Sequence, residues 1–525
     1  MGARILPFKN HCEKPRNVLI RKALRLKQDA FAKFIVRSLK NRIRFCASRD
    51  LLLTWNGEYW EYSKDSGGLV QLITEIKERL QNFLLRDGGG LPDLALSLPS
   101  SLFSINSITT LGTKDMRIQV AANKIDANPY LLNTPSGTFD FKTFTLKPFC
   151  RDDLITKITP VAPSSNLDCF LGEADLGNDC LGVLFGVAPT ISEFLLTISS
   201  GDLEWLAFLQ KDLGCALSGS LASQRLSFLH GEGANGKSVL IDLICAACGP
   251  EYVTRAPTDL LLSSKSGRHP CEMATLQGLK IAFCDEPGEG SWFNETRLKL
   301  LTGDKEFRAR LMRENDSTYL RTFTLFMVGN HKIAFRSMGE SIKRRITLIP
   351  FSHVVPESER DPDLLEKMRP ELPHFLAWMI AGYARYLQEG MIFPQSIKAA
   401  TYEWLEEEDT FKTWALERTQ FESHARTPIR DFFNDWNERH RFTLGQGGEK
   451  RFPSNLRRVV ADINPNGKYK VAVGKQEILR LFPGLPDHDN GGGLVYGLRL
   501  KRPGSPFDQN QLPESGPKVV CCPRG

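Results

Sequence analysis

Long apolar runs and paired metal-binding cysteines are both missing from this chain of 525 residues. No apolar run approaches the ~18 residues that a membrane-spanning helix requires, and the N-terminus lacks an apolar signal-peptide region. We therefore expect a cytoplasmic protein without a membrane partner. The 12 cysteines are scattered, and the only C-x-x-C, at 245–248, has no second pair or histidine cluster beside it. This pattern indicates small core residues rather than a metal or redox site.

The balance of charge differs strongly along the chain. Hydrophobic residues make up 41% and charged residues 25% of the sequence, as in an ordinary globular protein of several domains. Residues 1–50 carry 14 Lys/Arg against 3 Asp/Glu, and residues 420–525 carry 17 against 11. Because the net charge is only +7, the central part is acidic. Basic ends favour a nucleic-acid partner, with a solvated basic surface as the alternative.

The most specific motif is G-x-x-x-x-G-K-S between an apolar strand and an amphipathic helix, at 228–240. Its glycines allow consecutive backbone N–H groups to surround a β-phosphate, and the helix directs its positive end at the same anion. Lys237 would reach the β- and γ-phosphates, and the Ser238 hydroxyl would bind Mg²⁺. The motif predicts a nucleoside triphosphate site, with an incidental glycine-rich turn as the alternative. The predicted nucleotide-binding residues are Gly231, Glu232, Gly233, Ala234, Asn235, Gly236, Lys237, Ser238 and Val239.

Two acidic residues follow the next buried strand, predicted at 279–284. Asp285 suits Mg²⁺, and Glu286 suits the general base that activates water. A third strand, predicted at 323–328, ends at Asn330, whose amide can contact both the attacking water and the γ-phosphate. Arg344 and Arg345 precede a further strand at 346–351, and a guanidinium there suits transition-state stabilisation. Each signal is weak alone, but their order after a phosphate loop predicts a hydrolytic site.

A basic hairpin is predicted between these strands. Residues 306–312 and 319–326 alternate as strands and are joined by a polar turn. Its cations could hold DNA phosphates without recognising sequence, although a solvated surface hairpin is the alternative. The candidate DNA-binding residues in this region are Lys299, Lys305, Arg308, Arg310 and Arg313.

These motifs together resemble the superfamily 3 helicases, and within them the phage and plasmid primase-helicases related to the poxvirus primase-helicase. The resemblance includes Gly231–Ser238, Leu276–Lys280 leading to Asp285, and Gly329–Lys332. It extends to Arg344-Arg345 and, upstream, to Leu131–Asp140. It implies an ATP- and Mg²⁺-dependent AAA+ motor that forms a ring, usually a hexamer, around DNA. In this family an arginine finger acts on the neighbouring subunit's nucleotide.

The resemblance and the local patterns together predict an α/β fold. We expect an AAA+ P-loop NTPase core, an α+β N-terminal domain and a C-terminal winged-helix-like domain. Two further expectations concern irregular backbone at 163–200 and a helix stripe over 18–45. The expected divisions are a basic helical extension at 1–50, an α+β domain at 51–195, the motor at 196–355, a helical segment at 356–419, the winged-helix-like domain at 420–502 and a disordered tail at 503–525.

Two departures from the family matter. Many relatives have a second glycine in a T-G-G-D segment where this chain has Thr302-Gly303-Asp304-Lys305. Larger relatives also carry an N-terminal primase domain, which the roughly 50 residues before Trp55 cannot hold, so we expect helicase activity without primer synthesis. Expected partners are single-stranded and possibly duplex DNA, further copies of the chain, and a separate primase or polymerase. The alternatives are an origin-binding initiator that is switched by ATP and does not unwind DNA, and a small-molecule kinase.

Overall fold

The computed structural model describes thirteen ranges and a few isolated positions outside them. These ranges are 41–63, 110–172, 179–220, 224–256, 258–261, 275–285, 293–309, 317–332, 340–407, 410–439, 448–464, 470–473 and 493–501. The chain divides into two compact units. The first comprises Met1–Pro287, Thr296–His331 and Arg344–Thr401, and the second Gly288–Glu295, Lys332–Lys343 and Tyr402–Gly525. Most of the predicted N-terminal helix and the whole predicted tail lie outside the described residues.

Two small antiparallel sheets form the amino-terminal part of the first unit. The hairpin predicted from Asn56-Gly57 is confirmed, because Asn56 Oδ1 accepts hydrogen bonds from the backbone N–H groups of Glu58 and Tyr59 at 2.9 Å each. The hairpin predicted at 130–146 is also confirmed. The predicted helix stripe does not reach 45, because a strand begins at Ile43. The strands are β1 (Ile43–Cys46), β2 (Leu51–Trp55), β3 (Trp60–Ser63), β4 (Leu131–Thr134), β5 (Gly137–Asp140) and β6 (Thr145–Lys147).

The expectation of irregular backbone at 163–200 is wrong, because most of this stretch is helical. The helices are α1 (Leu167–Leu171), α2 (Asp179–Val187) and α3 (Pro189–Ile198). Pro189 occupies the first turn of α3, where its missing N–H has no intrahelical partner to lose. Leu184, Ile191 and Leu195 are fully buried, and this burial outweighs the weak helix propensity of the glycines in α2.

A five-stranded parallel sheet forms the centre of the first unit, after the predicted helix α4 (Leu203–Ser218). Its strands lie in the order β13, β7, β12, β9, β8. The strands predicted after the phosphate-loop motif, and the helix that follows the motif, are confirmed. The elements are β7 (Leu226–His230), α5 (Lys237–Cys248), β8 (Val253–Ala256), β9 (Ile281–Cys284), α6 (Glu295–Gly303), β10 (Glu306–Ala309), β11 (Ser317–Leu320), β12 (Thr324–Gly329), α7 (Glu340–Lys343) and β13 (Ile346–Pro350).

The predicted basic hairpin is present as the antiparallel pair of β10 and β11. Its second strand is shorter than expected, since the continuous strand predicted at 319–326 is two strands. Arg321, Thr322 and Phe323 separate them, and all three are buried. The side chains of Arg321 and Thr322 donate to backbone carbonyls outside the sheet pairing. The hairpin and the central sheet therefore have a fixed junction between them.

Helices that follow β13 in the chain complete the first unit, and the last of them continues into the second unit at Tyr402. The predicted helical region at 361–387 is confirmed, with an interruption near Pro370 and Pro373. The helix α9 packs along α4, where Gln210 Nε2 donates to the Trp378 carbonyl at 3.0 Å. The helices are α8 (Leu364–Met368), α9 (Leu372–Glu389) and α10 (Gln395–Glu407).

The second unit contains a core of its own around three helices and a three-stranded sheet. Trp414 and Trp436 are buried there, with ring centroids 5.5 Å apart, and Arg418 pairs with Asp435 at 2.8 Å. The unit begins before the expected boundary at 420, because Trp414 packs in this core. The sheet order is β14, β16, β15. The elements are α11 (Thr410–Arg418), β14 (Thr419–Pro428), α12 (Ile429–Arg439), α13 (Gly448–Ile463), β15 (Ala472–Val473) and β16 (Leu494–Leu500).

Candidate functional site

The phosphate-loop motif connects the carboxyl end of β7 to the amino end of α5, at the edge where neighbouring strands β12 and β13 also end. The Phe351 N–H donates to the His230 carbonyl at 2.7 Å, and the Val355 N–H donates to the Ala234 carbonyl at 2.8 Å. The loop is therefore fixed to the segment that follows β13. Ligands of open parallel α/β sheets bind at this edge of the strands.

Lys237 is the centre of the hydrogen-bond network in the loop. The residue is only 6% exposed, and its Nζ donates to the carbonyls of Gly231 and Glu232 at 2.5 and 3.1 Å. Nζ also donates to the side-chain oxygens of Asn235 at 2.9 Å and Asn330 at 3.1 Å. The structure thus brings together two of the predicted site residues, Lys237 at the start of α5 and Asn330 just after β12.

Asn235 is a structural part of this network. It is 2% exposed, and its Nδ2 donates to the Phe351 carbonyl at 3.1 Å while its Oδ1 accepts from Lys237. The side chain therefore connects the lysine to the segment after β13. In contrast, Asn330 is exposed and contacts the same ammonium from the open side of the loop.

The glycines of the loop have different roles. At Gly231, a Cβ would lie 2.3 Å from the Phe351 carbonyl oxygen. At Gly236, φ is +83° and a Cβ would lie 2.4 Å from Ile198 Cγ2, so the packed structure requires glycine at both positions. At Gly233, a Cβ would meet no protein atom within 4 Å. The backbone at Gly233 is consequently accessible to an anion.

The candidate metal residues lie at the same edge of the sheet. Ser238 is exposed in the first turn of α5, and Asp285 follows β9 directly. The Asp285 carboxylate accepts a hydrogen bond from Arg255 Nη1 at 2.8 Å, and Arg255 Nη2 lies 3.6 Å from Asp242. Sequence reasoning missed Arg255, because a single arginine in strand β8 has no motif around it. Glu286 lies outside the described residues.

These residues fit MgATP. Mg²⁺ that is bound with a nucleotide usually takes one or two protein ligands and completes its shell with phosphate and water. Ser238 and Asp285 satisfy this requirement, although no group of three or more metal-binding side chains occurs among the residues that the structure describes. The C-x-x-C lies in α5, where Cys248 is fully buried and burial raises the pKa of its thiol.

The two candidate arginines occupy different environments. Arg344 is exposed, whereas Arg345 is 8% exposed and its backbone carbonyl accepts from the Leu226 N–H at 2.7 Å. Leu226 begins β7, and the phosphate loop starts only after His230. From Leu226 to His230 the strand advances by four rises of ~3.3 Å, about 13 Å, so the two arginines lie at the opposite edge of the sheet from the loop of the same chain.

The candidate DNA-binding residues are only partly described. Lys299 is half-buried in α6, and Lys305 is exposed just before β10. Arg308 lies within β10, but the structure does not describe its side chain. Arg310 and Arg313 lie outside the described residues. The structure therefore supports the hairpin itself and the exposed position of one of its lysines.

Two neighbouring lysines that the sequence predictions did not include, one buried and one half-buried, lie where the amino-terminal sheets meet the central sheet. Lys280 is 3% exposed and donates to the Pro129 carbonyl, and Lys157 Nζ donates to the Gln277 carbonyl at 3.1 Å. Burial lowers the pKa of Lys280 to about 7, the charge of Lys157 acts in the same direction, and Asp126 opposes both. Two separate lysines give no sequence signal for such a contact.

Comparison with known proteins supports the resemblance seen in the sequence. A family model described as "D5 N terminal like" matches residues 32–200. A protein of Acanthamoeba polyphaga mimivirus named "Putative helicase" is 25% identical over 312 residues, which are 55% of this chain and 30% of that protein. A protein of African swine fever virus named "Putative primase" is 20% identical over 324 residues, which are 58% of this chain and 32% of that protein.

Among solved structures, the apo structure of the NrS-1 C-terminal region is 11% identical, with a TM-score of 0.45 over 87% of this chain and 96% of that one. The match to the viral relatives spans about a third of their length. The family model and the viral relatives support a primase-helicase-like family for this chain, in agreement with the resemblance of its motifs. No helix in the described part of the chain has the length and apolar character needed to cross a membrane.

Proposed function

We propose that this protein is an ATP-dependent DNA helicase of the ring-forming superfamily 3 type, with an AAA+ P-loop core, acting in replication of a phage, plasmid or integrated element. The observation that carries the proposal is the contact between Lys237 and Asn330 across the phosphate loop. Lys237 begins the helix that follows β7, Asn330 directly follows β12, and β7 and β12 are paired in one parallel sheet. The relatives are named helicases and primases. An incidental glycine-rich turn would not position a buried lysine in this way.

Each residue of the site has a defined task in the proposal. Ser238 and Asp285 would hold Mg²⁺, which would neutralise phosphate charge when it is bound with ATP. Lys237 transfers its hydrogen bonds from the loop carbonyls to phosphate oxygens, at little cost in side-chain entropy because it is already held in place. Glu286 accepts a proton from the attacking water, and Asn330 orients that water.

The arginine that completes the site comes from a neighbouring subunit. The separation across the sheet prevents Arg344 from reaching the phosphate loop of its own chain. Arg344 is exposed and available for contact, whereas Arg345 is enclosed within its own unit. We therefore assign the finger to Arg344, and a ring of subunits, most simply a hexamer, supplies one such contact at each interface.

DNA contact is assigned to the hairpin of β10 and β11 and, separately, to the carboxyl-terminal unit. In a ring, the exposed Lys305 and the arginines of the hairpin would contact the phosphates of a single strand in the channel. In the second unit the order along the chain is α11, β14, α12, α13, β15 and β16, and β16 lies between β14 and β15 in the sheet. This order supports a winged-helix fold, whose partner is duplex DNA or another protein.

Strand displacement tests the proposal most simply. The intact chain with Mg²⁺ and ATP should separate a forked duplex, and the Lys237→Ala variant should not. ATP hydrolysis that is stimulated by DNA without any unwinding would favour the initiator hypothesis instead. Hydrolysis that requires a metabolite acceptor would indicate a kinase. Mass measurement with Mg²⁺ and a non-hydrolysable ATP analogue should give a ring, and a strict monomer would contradict the assignment of Arg344.

A further inference from the structure

Two buried arginines enclose the short segment between α6 and β10. A Cβ built on Gly303 would lie 3.1 Å from Arg345 Nη2, so the guanidinium of Arg345 rests directly on this glycine. On the following residue, the Asp304 carbonyl accepts from Arg321 Nε at 2.8 Å. The Arg321 N–H also donates to the Lys305 carbonyl at 2.8 Å. We name Gly303, Asp304, Arg321 and Arg345 the joint.

The joint connects the hairpin to the strand that follows the finger. Arg321 comes directly after β11, and its Nη1 also reaches the Phe323 carbonyl at 3.4 Å, just before β12. It thereby holds the base of the hairpin to the central sheet. Arg345 comes directly after Arg344, and its own carbonyl is bonded to the N–H of Leu226 in β7. The two ends of the joint are therefore the hairpin and the backbone that carries Arg344.

Burial of both guanidiniums is unusual for a surface loop and requires a physical reason. Arg321 is 4% exposed and Arg345 is 8% exposed. Burial lowers the pKa of Arg321 to about 10, so it remains charged at neutral pH, and Asp304 opposes that shift. The charge of Arg345 lies at the carboxyl end of α6, where the helix dipole favours a cation. Burying these charges costs free energy, and we infer that their role is to hold the joint in one geometry.

We propose that Arg321 and Arg345 are positioning residues that couple the hairpin to Arg344. The proposal rests on the proposed function, because it takes the hairpin as the DNA contact and Arg344 as the finger. Close-packed groups with low compressibility transmit a displacement instead of absorbing it. A shift of the hairpin on DNA is therefore passed through Asp304 and Gly303 to Arg345, and so to the backbone next to the finger. The same path carries the effect of the nucleotide back to the hairpin.

The test is a measurement of linkage between the two ligands. The affinity for a fluorescent single-stranded oligonucleotide is measured with and without a non-hydrolysable ATP analogue and Mg²⁺. Coupled sites change each other's affinity by the same factor, about fivefold to 150-fold in typical cases. We expect Gly303→Ala and Arg321→Lys to reduce this coupling factor at least about threefold. The affinity for the oligonucleotide alone and the affinity for the ATP analogue alone should each change less than about twofold. Thr302→Ser is the matched control, since its hydroxyl can still donate to the Leu298 carbonyl.

The two substitutions disturb the joint in different ways. Alanine is a better helix former than glycine, so a loss in Gly303→Ala would come from displacement of Arg345 and not from local unfolding. Lysine at 321 keeps the charge but cannot donate to two carbonyls in a fixed fork. If the coupling factor is unchanged in both variants, or falls equally in Thr302→Ser, the joint does not couple the hairpin to Arg344, and the proposed function is unaffected. If the affinity for DNA in the unaltered protein does not depend on the nucleotide at all, both the coupling role and the proposed function are refuted.

Discussion

Asn235 and Asn330 contact the same lysine, but we predict that replacing Asn235 by alanine mainly lowers stability, whereas replacing Asn330 mainly lowers ATP hydrolysis. The side chain of Asn235 is buried and makes two bonds, to Lys237 Nζ at 2.9 Å and to the Phe351 carbonyl at 3.1 Å. A hydrogen bond to a charged group contributes about 1.5–3 kcal/mol, and a neutral one about 1 kcal/mol. Asn235→Ala should therefore destabilise the segment around the loop by about 2–4 kcal/mol. Asn330 is exposed, so its replacement should cost less than about 1 kcal/mol and should abolish most hydrolysis.

Hydrogen exchange of the amides in 226–248 measures the free energy of local opening in both variants, without requiring the whole multidomain chain to unfold in one step. ATP hydrolysis and binding of a fluorescent nucleotide are measured in parallel. We expect rapid exchange in Asn235→Ala. For Asn330→Ala we expect normal exchange and normal nucleotide binding with little turnover. Equal destabilisation by the two substitutions would refute the assignment of structural and catalytic roles.

Three further predictions concern the phosphate loop, the partner of Asp285 and the buried Lys280. Gly233→Ala should weaken nucleotide binding at an unchanged melting temperature, whereas Gly236→Ala should lower that temperature, because only Gly236 has a left-handed φ and a Cβ clash. Arg255→Met should lower the Mg²⁺ concentration required for nucleotide binding by up to about fivefold, because Asp285 would no longer be paired with Arg255, and such an exposed ion pair contributes at most about 1 kcal/mol. A higher Mg²⁺ requirement would instead mean that Arg255 binds the nucleotide. Between pH 7 and pH 9 the unfolded chain binds more protons at Lys280 than the folded chain does, so the free energy of unfolding should rise with pH. Lys280→Met should remove up to about 1.4 kcal/mol per pH unit of that rise, as measured by urea unfolding.

The sequence was sufficient for four of the five strands of the central sheet, because each is a short apolar run next to a recognisable polar motif, whereas β8 has no such motif and was not predicted. It was insufficient at 163–200, where the glycines of α2 suggested irregular backbone. Glycine lowers helix propensity by only about 1 kcal/mol relative to alanine, and the burial of Leu184 and Ile191 against the core exceeds that cost. Strand β14 was missed because its residues alternate weakly and its pairing partner β16 lies about 70 residues further along the chain.

At the site, motifs located the residues but not their environments. Nothing in the dipeptide Arg344-Arg345 indicates which guanidinium is buried, because that depends on the contact of Arg345 with Gly303 from another element. The partner of Asp285 in this structure, Arg255, was likewise unpredictable, since it lies in a strand that pairs only through the folded sheet. The sequence assigned Lys237 and Asn330 to one site, because both follow strands of the nucleotide core, but it did not predict the direct contact that the structure shows.

The central claim is that each ATP site is completed by Arg344 of a neighbouring subunit. Its most direct test is a mixture of two inactive variants, Lys237→Ala and Arg344→Ala. In a mixed ring, an intact Lys237 of one subunit meets an intact Arg344 of the next at about one quarter of the interfaces, so hydrolysis should recover to roughly that fraction of the unaltered protein's rate. No recovery in rings that are shown to exchange subunits, or full activity of Arg344→Ala alone, would contradict the account.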